Sequence, residues 1–400
     1  MKRENRQADD LSWPAKCTRV VIVATRLFEA SGGSTFVRNF ATALLEQGIE
    51  VELISVYPGS VDDSLPTTTV LRREALHRTA SVRDDRGRVR LARLPIFVFK
   101  RFDRWRGLRR FKRQIDAYGD DTVVVFTHVF PRTLLRLSGY RRRAGGALLV
   151  GQHHSSYEGL WSEPWLREAL PREFGHDDGF TALSSEDAEL FENLIGIPCF
   201  AIPNPTSPVA RVLPQPDRED TVVALARYSG EKQIEMMMRI FVSATADPAL
   251  RHWRLRIYGE GNHREILEAE RSRLEGRERV HLMGRTDEVD RVLESARLNI
   301  LTSRFEGFPM SVLEAAQHGV PSMVFDCSPG VRELLGALDG YLVTPANDEV
   351  AFETALKLAL EDSAQLKERG DFARSAVRRF EPEAVLRKWA EMIERIHRSR

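Results

Sequence analysis

Short uninterrupted apolar runs alternate with stretches of helical period along most of the chain. Val20-Val21-Ile22-Val23-Ala24 has no polar break and predicts a strand buried on both faces. Phe36, Phe40, Leu44 and Leu45 then recur at helical spacing between Phe36 and Gln47, and Val51 to Val56 forms the next apolar run. A strand, helix, strand opening predicts a parallel sheet with right-handed crossovers. The alternation continues at Val123 to Phe126, Ala147 to Val150 and Gly179 to Leu183, the last followed by Ser184-Ser185-Glu186-Asp187, a helix cap by composition. Ile202-Pro203-Asn204-Pro205-Thr206-Ser207-Pro208 reads as a linker, after which the pattern restarts at Thr221 to Leu225, Arg254 to Tyr258, Val280 to Leu282, Leu298 to Leu301 and Ser322 to Phe325. The fold class is therefore α/β, with two Rossmann-like αβα domains at 18–205 and 206–382. The segment 383–400, with Val385, Trp389, Met392 and Ile396 on one face, forms a terminal amphipathic helix.

The 400 residues, 42% hydrophobic and 29% charged, suffice for two domains with separate cores, and no run approaches the roughly 20 apolar residues of a bilayer-spanning helix. The first ten residues lack the apolar centre of a secretion signal, so a cytoplasmic location is expected. Three scattered cysteines, Cys17, Cys199 and Cys327, argue against a disulfide framework or a zinc site. The net charge of +1 hides an uneven distribution: residues 83–113 hold 13 Arg or Lys against 3 Asp or Glu. Leu91, Leu94, Phe97, Phe102, Trp105 and Phe111 interleave with these cations. Such a segment could lie on an anionic membrane surface or a polyanionic acceptor, or form a solvated helix pair. No nucleic-acid motif accompanies it, so nucleic acid is not an expected partner.

Candidate chemistry collects where predicted strands end. In Arg304 to Leu334, a strand is followed by a loop holding Glu306, then by Pro309 at a helix start and Glu314 inside that helix, eight positions after Glu306. The helix start offers free N–H groups and a positive dipole end to phosphate oxygens, while two carboxylates can hold paired sugar hydroxyls. Arg227 and Lys232 follow the first strand of the second half, at the edge where open α/β sheets bind ligands. Together they could neutralise a departing diphosphate without a metal. Gly32 and Gly33 lie between the first strand and first helix, where a backbone can approach a phosphate or sugar closely. His153 and His154 end another strand, with His128 a weaker candidate on the same wall.

Glu306-Gly307-Phe308-Pro309, the spacing to Glu314, then Ala315-Ala316 and Gly319-Val320-Pro321, resemble the donor-site signature of the family 4 retaining glycosyltransferases. The tail Phe325 to Glu333 resembles the branch that builds wall teichoic acids and capsular polysaccharides. The resemblance implies a GT-B fold, two domains facing a central cleft with the last helix crossing back to the first domain. It implies transfer of a hexosyl unit from a nucleotide sugar, a UDP-sugar foremost, with no cofactor and no metal. The acceptor would be a polysaccharide, polyol-phosphate or lipid-linked chain of the cell envelope, and the enzyme cytoplasmic or peripheral at the inner face of the membrane. It assigns Glu306, Arg227, Lys232 and His154 to catalysis. Glu314, Gly32, Gly33, His153, Gly259, Arg285, Gly307, Phe308, Pro309 and Met310 would bind the donor. Gln233 departs from the glycine common after that lysine. A sugar-nucleotide epimerase, a phosphorylase or a non-catalytic binding subunit on the same scaffold are the alternatives. A dinucleotide-dependent dehydrogenase lacks its glycine fingerprint.

Overall fold

Each half of the chain builds one parallel sheet covered by helices on both faces. The computed structural model describes residues 13–27, 32–58, 67–69, 94–207 and 218–400. In the first half β1 (Arg19–Ala24), α1 (Gly32–Glu46), β2 (Glu50–Ser55), β3 (Thr67–Thr69), α2 (Leu94–Ala117), β4 (Thr122–Phe126), α3 (Val129–Leu137), β5 (Leu148–Gln152), α4 (Pro164–Phe174), β6 (Gly179–Ala182), α5 (Ser185–Ile195) and β7 (Cys199–Ala201) follow in turn. Their strands lie in the order β3-β2-β1-β4-β5-β6-β7. Alternate residues of β1 serve opposite helix layers, Val21 and Val23 on one side and Val20 and Ile22 on the other, which is why the run needs no polar position.

The second half contains β8 (Thr221–Leu225), α6 (Ile234–Ala244), β9 (Arg254–Tyr258), α7 (Arg264–Arg273), β10 (Val280–Gly284), α8 (Val289–Ser295), β11 (Leu298–Leu301), α9 (Met310–Gln317), β12 (Ser322–Phe325), α10 (Pro329–Leu338), β13 (Tyr341–Val343), α11 (Glu349–Glu361), α12 (Ser363–Ala376) and α13 (Pro382–Ser399). The sheet order is β10-β9-β8-β11-β12-β13. Strand order reverses direction between β8 and β11, and between β1 and β4 in the first sheet. Such switch points leave a crevice beyond the carboxyl ends of the strands.

Helix α13 leaves the second domain and packs on the first. Val385, Leu386, Trp389, Met392, Ile393 and Ile396 join the core beneath α1 and β1, with the Trp389 and Phe40 rings 4.7 Å apart. Arg400 clasps Asp178 at 2.7 Å and donates to the carbonyls of Gly146 and Ala147. The fold is thus the two-domain GT-B arrangement with its returning helix. The domains also meet between α5 and α10, where the Ser185 N–H donates to Glu333 at 2.8 Å and Arg332 lies 3.4 Å from Glu186.

Several local expectations change. β3, β7 and β13 have three residues each and escape the apolar-run pattern, because a short outer strand such as Thr67-Thr68-Thr69 needs no continuous hydrophobicity. The proline-rich linker is packed rather than loose: Ile202, Asn204 and Thr206 are buried, and Asn39 Nδ2 donates to the Pro205 carbonyl at 3.1 Å. Gly32 and Gly33 form the first turn of α1 instead of a loop before it. Of the basic segment, 83–93 falls outside the described residues and 94–113 belongs to the single helix α2. That helix is anchored by buried Phe111 and Ile115 while Trp105 is exposed, with the Arg109 guanidinium 3.7 Å above its ring.

Candidate active site

The crevice between β8 and β11 is built from two loops. After β8, Ala226-Arg227-Tyr228-Ser229 leads into a single turn at Gly230–Lys232, and Gln233 follows with φ 47 and ψ 43. A left-handed backbone at this position explains why glycine suits it. Glutamine adopts it at a cost of about 1 kcal/mol. The loop is pinned by Thr302, whose Oγ1 lies 3.1 Å from the carbonyls of both Lys232 and Gln233. After β11, Thr302-Ser303 runs to Glu306 and on to α9. Pro309 occupies the position before that helix with extended ψ 115, and no side chain caps the first turn.

Lys232 and Glu306, 74 positions apart in the chain, meet here. Lys232 Nζ donates to Glu306 Oε1 at 2.6 Å, and Ser303 Oγ donates to the same oxygen at 2.6 Å. Both charged side chains are largely enclosed, with 20% and 11% of their surface exposed. Arg227 is more open and bonds Glu231 Oε1 at 3.0 Å, an oxygen that also accepts from Ser229 Oγ at 2.7 Å. Cations at the end of a parallel strand, an uncapped helix start and a carboxylate between them make a site for an anion attached to a hydroxyl-rich group.

Glu314 projects from the second turn of α9, half-buried and without a hydrogen bond among the described residues. Burial, and then the nearby Asp290 carboxylate, push its carboxyl up to about 7. The folded chain therefore holds this proton more tightly than the unfolded chain. The resulting stabilisation is complete below the ordinary value of 4.5 and is lost as pH rises through about 7. Glu314→Gln, which cannot ionise, should be more stable than the native protein at pH 8 by about 1–2 kcal/mol, after discounting for partial exposure. The difference should shrink toward zero as pH falls to 4.5; thermal unfolding at both pH values checks it.

Beyond β9, Gly259 lies flat against the end of β8. Its φ is +155°, and a Cβ there would collide with the carbonyl oxygen of Ala226, directly before Arg227. Arg285, after β10, is exposed and sits 3.6 Å from Glu260 and 3.5 Å from Asp287. It stands at the edge of the sheet, two strands from the crevice, and does not join the Lys232–Glu306 cluster. Phe308 is buried against Phe380 at 5.4 Å, and Met310 packs at the core's margin.

The first domain reaches the same place through His154. Its ring lies 4.6 Å from Phe36 of α1, and a Cβ on Gly307 would collide with its backbone carbonyl, so only glycine permits this approach. Both ring nitrogens are buried without a hydrogen-bond partner; Asn204 lies beside the ring outside bonding geometry, its own oxygen equally unpartnered. Burial, then neighbouring His128, push the imidazole down to about 4, so it is neutral near pH 7. The structure separates the two histidines: His153 turns into the first core against Phe191 at 5.4 Å, with burial driving it to about 3. His128 accepts from the Phe130 N–H and so caps α3. Gly32 and Gly33 begin the helix that carries Phe36, which brings them beside His154 only indirectly. Among the described residues no group of three or more His, Cys, Asp or Glu side chains is arranged to hold a metal ion.

Nothing in the sequence marks Glu231, Ser303, Asn204 or Phe36 as a site residue. Glu231 is adjacent to Lys232 in the sequence, yet nothing in spacing shows that its carboxylate turns to Arg227. The Ser303 contact spans only three residues, but a serine before a loop carries no distinctive signal.

Two family models match: Glycosyltransferase Family 4 over residues 30–208 and Glycosyl transferases group 1 over residues 219–362, one for each sheet. The chain is 30% identical over 176 residues to an exopolysaccharide phosphotransferase of Streptomyces coelicolor, covering 43% of this chain and 18% of that protein. It is 31% identical over 151 residues to the lipopolysaccharide 1,6-galactosyltransferase of Salmonella typhimurium, covering 36% and 41%. In both comparisons the chain spans less than half the relative's length. The crystal structure of S. aureus TarM with fondaparinux, α-GlcNAc-glycerol and UDP superposes with a TM-score of 0.72 at 14% identity, covering 94% of this chain and 99% of that one. The chain thus joins a Glycosyltransferase Family 4 domain and a Glycosyl transferases group 1 domain in the GT-B architecture.

Proposed function

We propose that the protein is a retaining, metal-independent glycosyltransferase that moves a hexosyl unit from a nucleotide sugar, a UDP-sugar foremost, to a cell-envelope polysaccharide, teichoic-acid-like or lipid-linked acceptor. The observation that carries this reading is the Lys232–Glu306 ion pair in the crevice between β8 and β11, beside Arg227 and the uncapped start of α9. Arg227, Lys232 and the first amides of α9 take up the charge of the departing diphosphate. Glu306 orients the sugar's hydroxyls, Glu314 holds the ribose, and neutral His154 faces the sugar from the first domain. Gly307, Phe308, Pro309 and Met310 shape the wall between the two glutamates, while Gly259 and Arg285 flank the nucleotide. The bond from the sugar's anomeric carbon to the phosphate oxygen breaks as a bond to the acceptor oxygen forms on the same face. The acceptor's proton passes to the leaving phosphate, so no separate protein base is required. Closure of the domains excludes water from this exchange.

The UDP found with TarM, and the galactosyltransferase and phosphotransferase among the relatives, support a nucleotide-sugar donor and an envelope acceptor. No helix among the described residues is long and apolar enough to cross a membrane. Helix α2, with its cations and exposed Trp105, supports attachment at an anionic membrane surface on the cytoplasmic side.

A screen of nucleotide sugars by thermal shift and by slow donor hydrolysis tests the reading. One donor should raise the melting temperature and release nucleoside diphosphate at a rate unchanged by EDTA, and the sugar freed should first appear in the donor's own anomeric configuration. Release only with added divalent ions, or the opposite anomer, would reject the metal-independent or the retaining part respectively.

A further inference from the structure

Both cations of the crevice already hold a carboxylate: Lys232 bonds Glu306 at 2.6 Å and Arg227 bonds Glu231 at 3.0 Å. A diphosphate entering the site therefore competes with carboxylates for these two cations. The two partners differ in kind. Glu306 lies on the loop before α9 and has sugar hydroxyls to turn to once Lys232 is taken. Glu231 is fixed in its own loop: Ser229 Oγ donates to its Oε1 at 2.7 Å, and its backbone carbonyl accepts from the Arg304 N–H at 2.8 Å. Despite partial burial, the Ser229 hydroxyl, then its own backbone N–H and then Arg227 hold its carboxyl below the usual range, so it stays negative beside the place where phosphate arrives.

Resting on the diphosphate role given to Arg227 and Lys232, we propose that Glu231 is a positioning residue: a built-in competitor that holds Arg227 in the empty site and weakens the grip on the product nucleoside diphosphate. The donor gains the contacts of its sugar to Glu306 and so overcomes the competition. The product has lost that sugar and is released as Glu231 recaptures Arg227. Specificity for the intact donor over its own product follows from this difference.

The test uses the full chain and isothermal titration with UDP, GDP and ADP. Glu231→Gln keeps the shape and an acceptor for Ser229 while removing the charge. It should bind the nucleoside diphosphate that the native protein prefers about two- to fivefold more tightly, the scale of an exposed ion pair. The gain should shrink with added salt, and product inhibition should strengthen as turnover falls. In an Arg227→Ala background the same substitution should give less gain, because the competition acts through Arg227. A merely structural role would move affinity the other way. If Arg227→Ala weakens binding while Glu231→Gln leaves it unchanged or lowers it, the competitor role is overturned and the diphosphate site stands. If none of the three diphosphates binds the native protein, the site assignment fails, and this role with it.

Discussion

Glu306→Gln is expected to lower turnover by about 10²–10³-fold, the scale seen when one preorganised polar group is removed from a transition-state contact. Binding of nucleoside diphosphate should be at least as tight as in the native protein. Glutamine keeps the length and can still accept from Ser303, but it no longer attracts Lys232 and holds sugar hydroxyls only as a neutral partner. The loss should therefore appear in the chemical step, measured by single-turnover release of sugar at saturating donor. Titration with the diphosphate alone separates that step from binding. A variant with native turnover would remove Glu306 from the reaction.

Lys232→Ala should act on both quantities. On the role proposed for Lys232, the departing diphosphate loses a fixed cation, and kcat/KM is expected to fall by about 10³-fold, with diphosphate affinity falling at least tenfold. Millimolar magnesium should not restore it if fixed cations and the start of α9 supply the counter-charge. This substitution also leaves the enclosed Glu306 carboxylate with Ser303 as its remaining partner. A stability loss of about 1–3 kcal/mol should accompany the lost activity, read from urea unfolding. The pair of variants is diagnostic: Glu306→Gln separates chemistry from diphosphate binding, whereas Lys232→Ala loses both.

The parallel sheets were legible because strands buried on both faces must be continuously apolar, as in Val20 to Ala24 and Val123 to Phe126. The motif from Glu306 to Pro321 was legible because a strand end, a loop carboxylate and a helix start are local features, and local order fixes their positions within a few ångströms. Short outer strands such as β13 were hidden, since their pairing is decided by the neighbouring strand rather than by their own residues. The packed linker was hidden for a related reason: Asn39 of α1 holds the Pro205 carbonyl and the Phe380 carbonyl accepts from the Thr206 N–H, both from segments far away in sequence.

From residue order alone came the two α/β units, the terminal amphipathic helix and the set of glutamates and cations at strand ends. Tertiary structure alone decided which histidine reaches the interdomain contact, because a one-residue step beyond β5 turns His153 into the core and leaves His154 beside Phe36 and Gly307. It also decided that Lys232 meets Glu306 and that Glu231 holds Arg227. Ion pairs depend on distances of a few ångströms, and those are set when strands β8 and β11 become neighbours, a juxtaposition that no local spacing records.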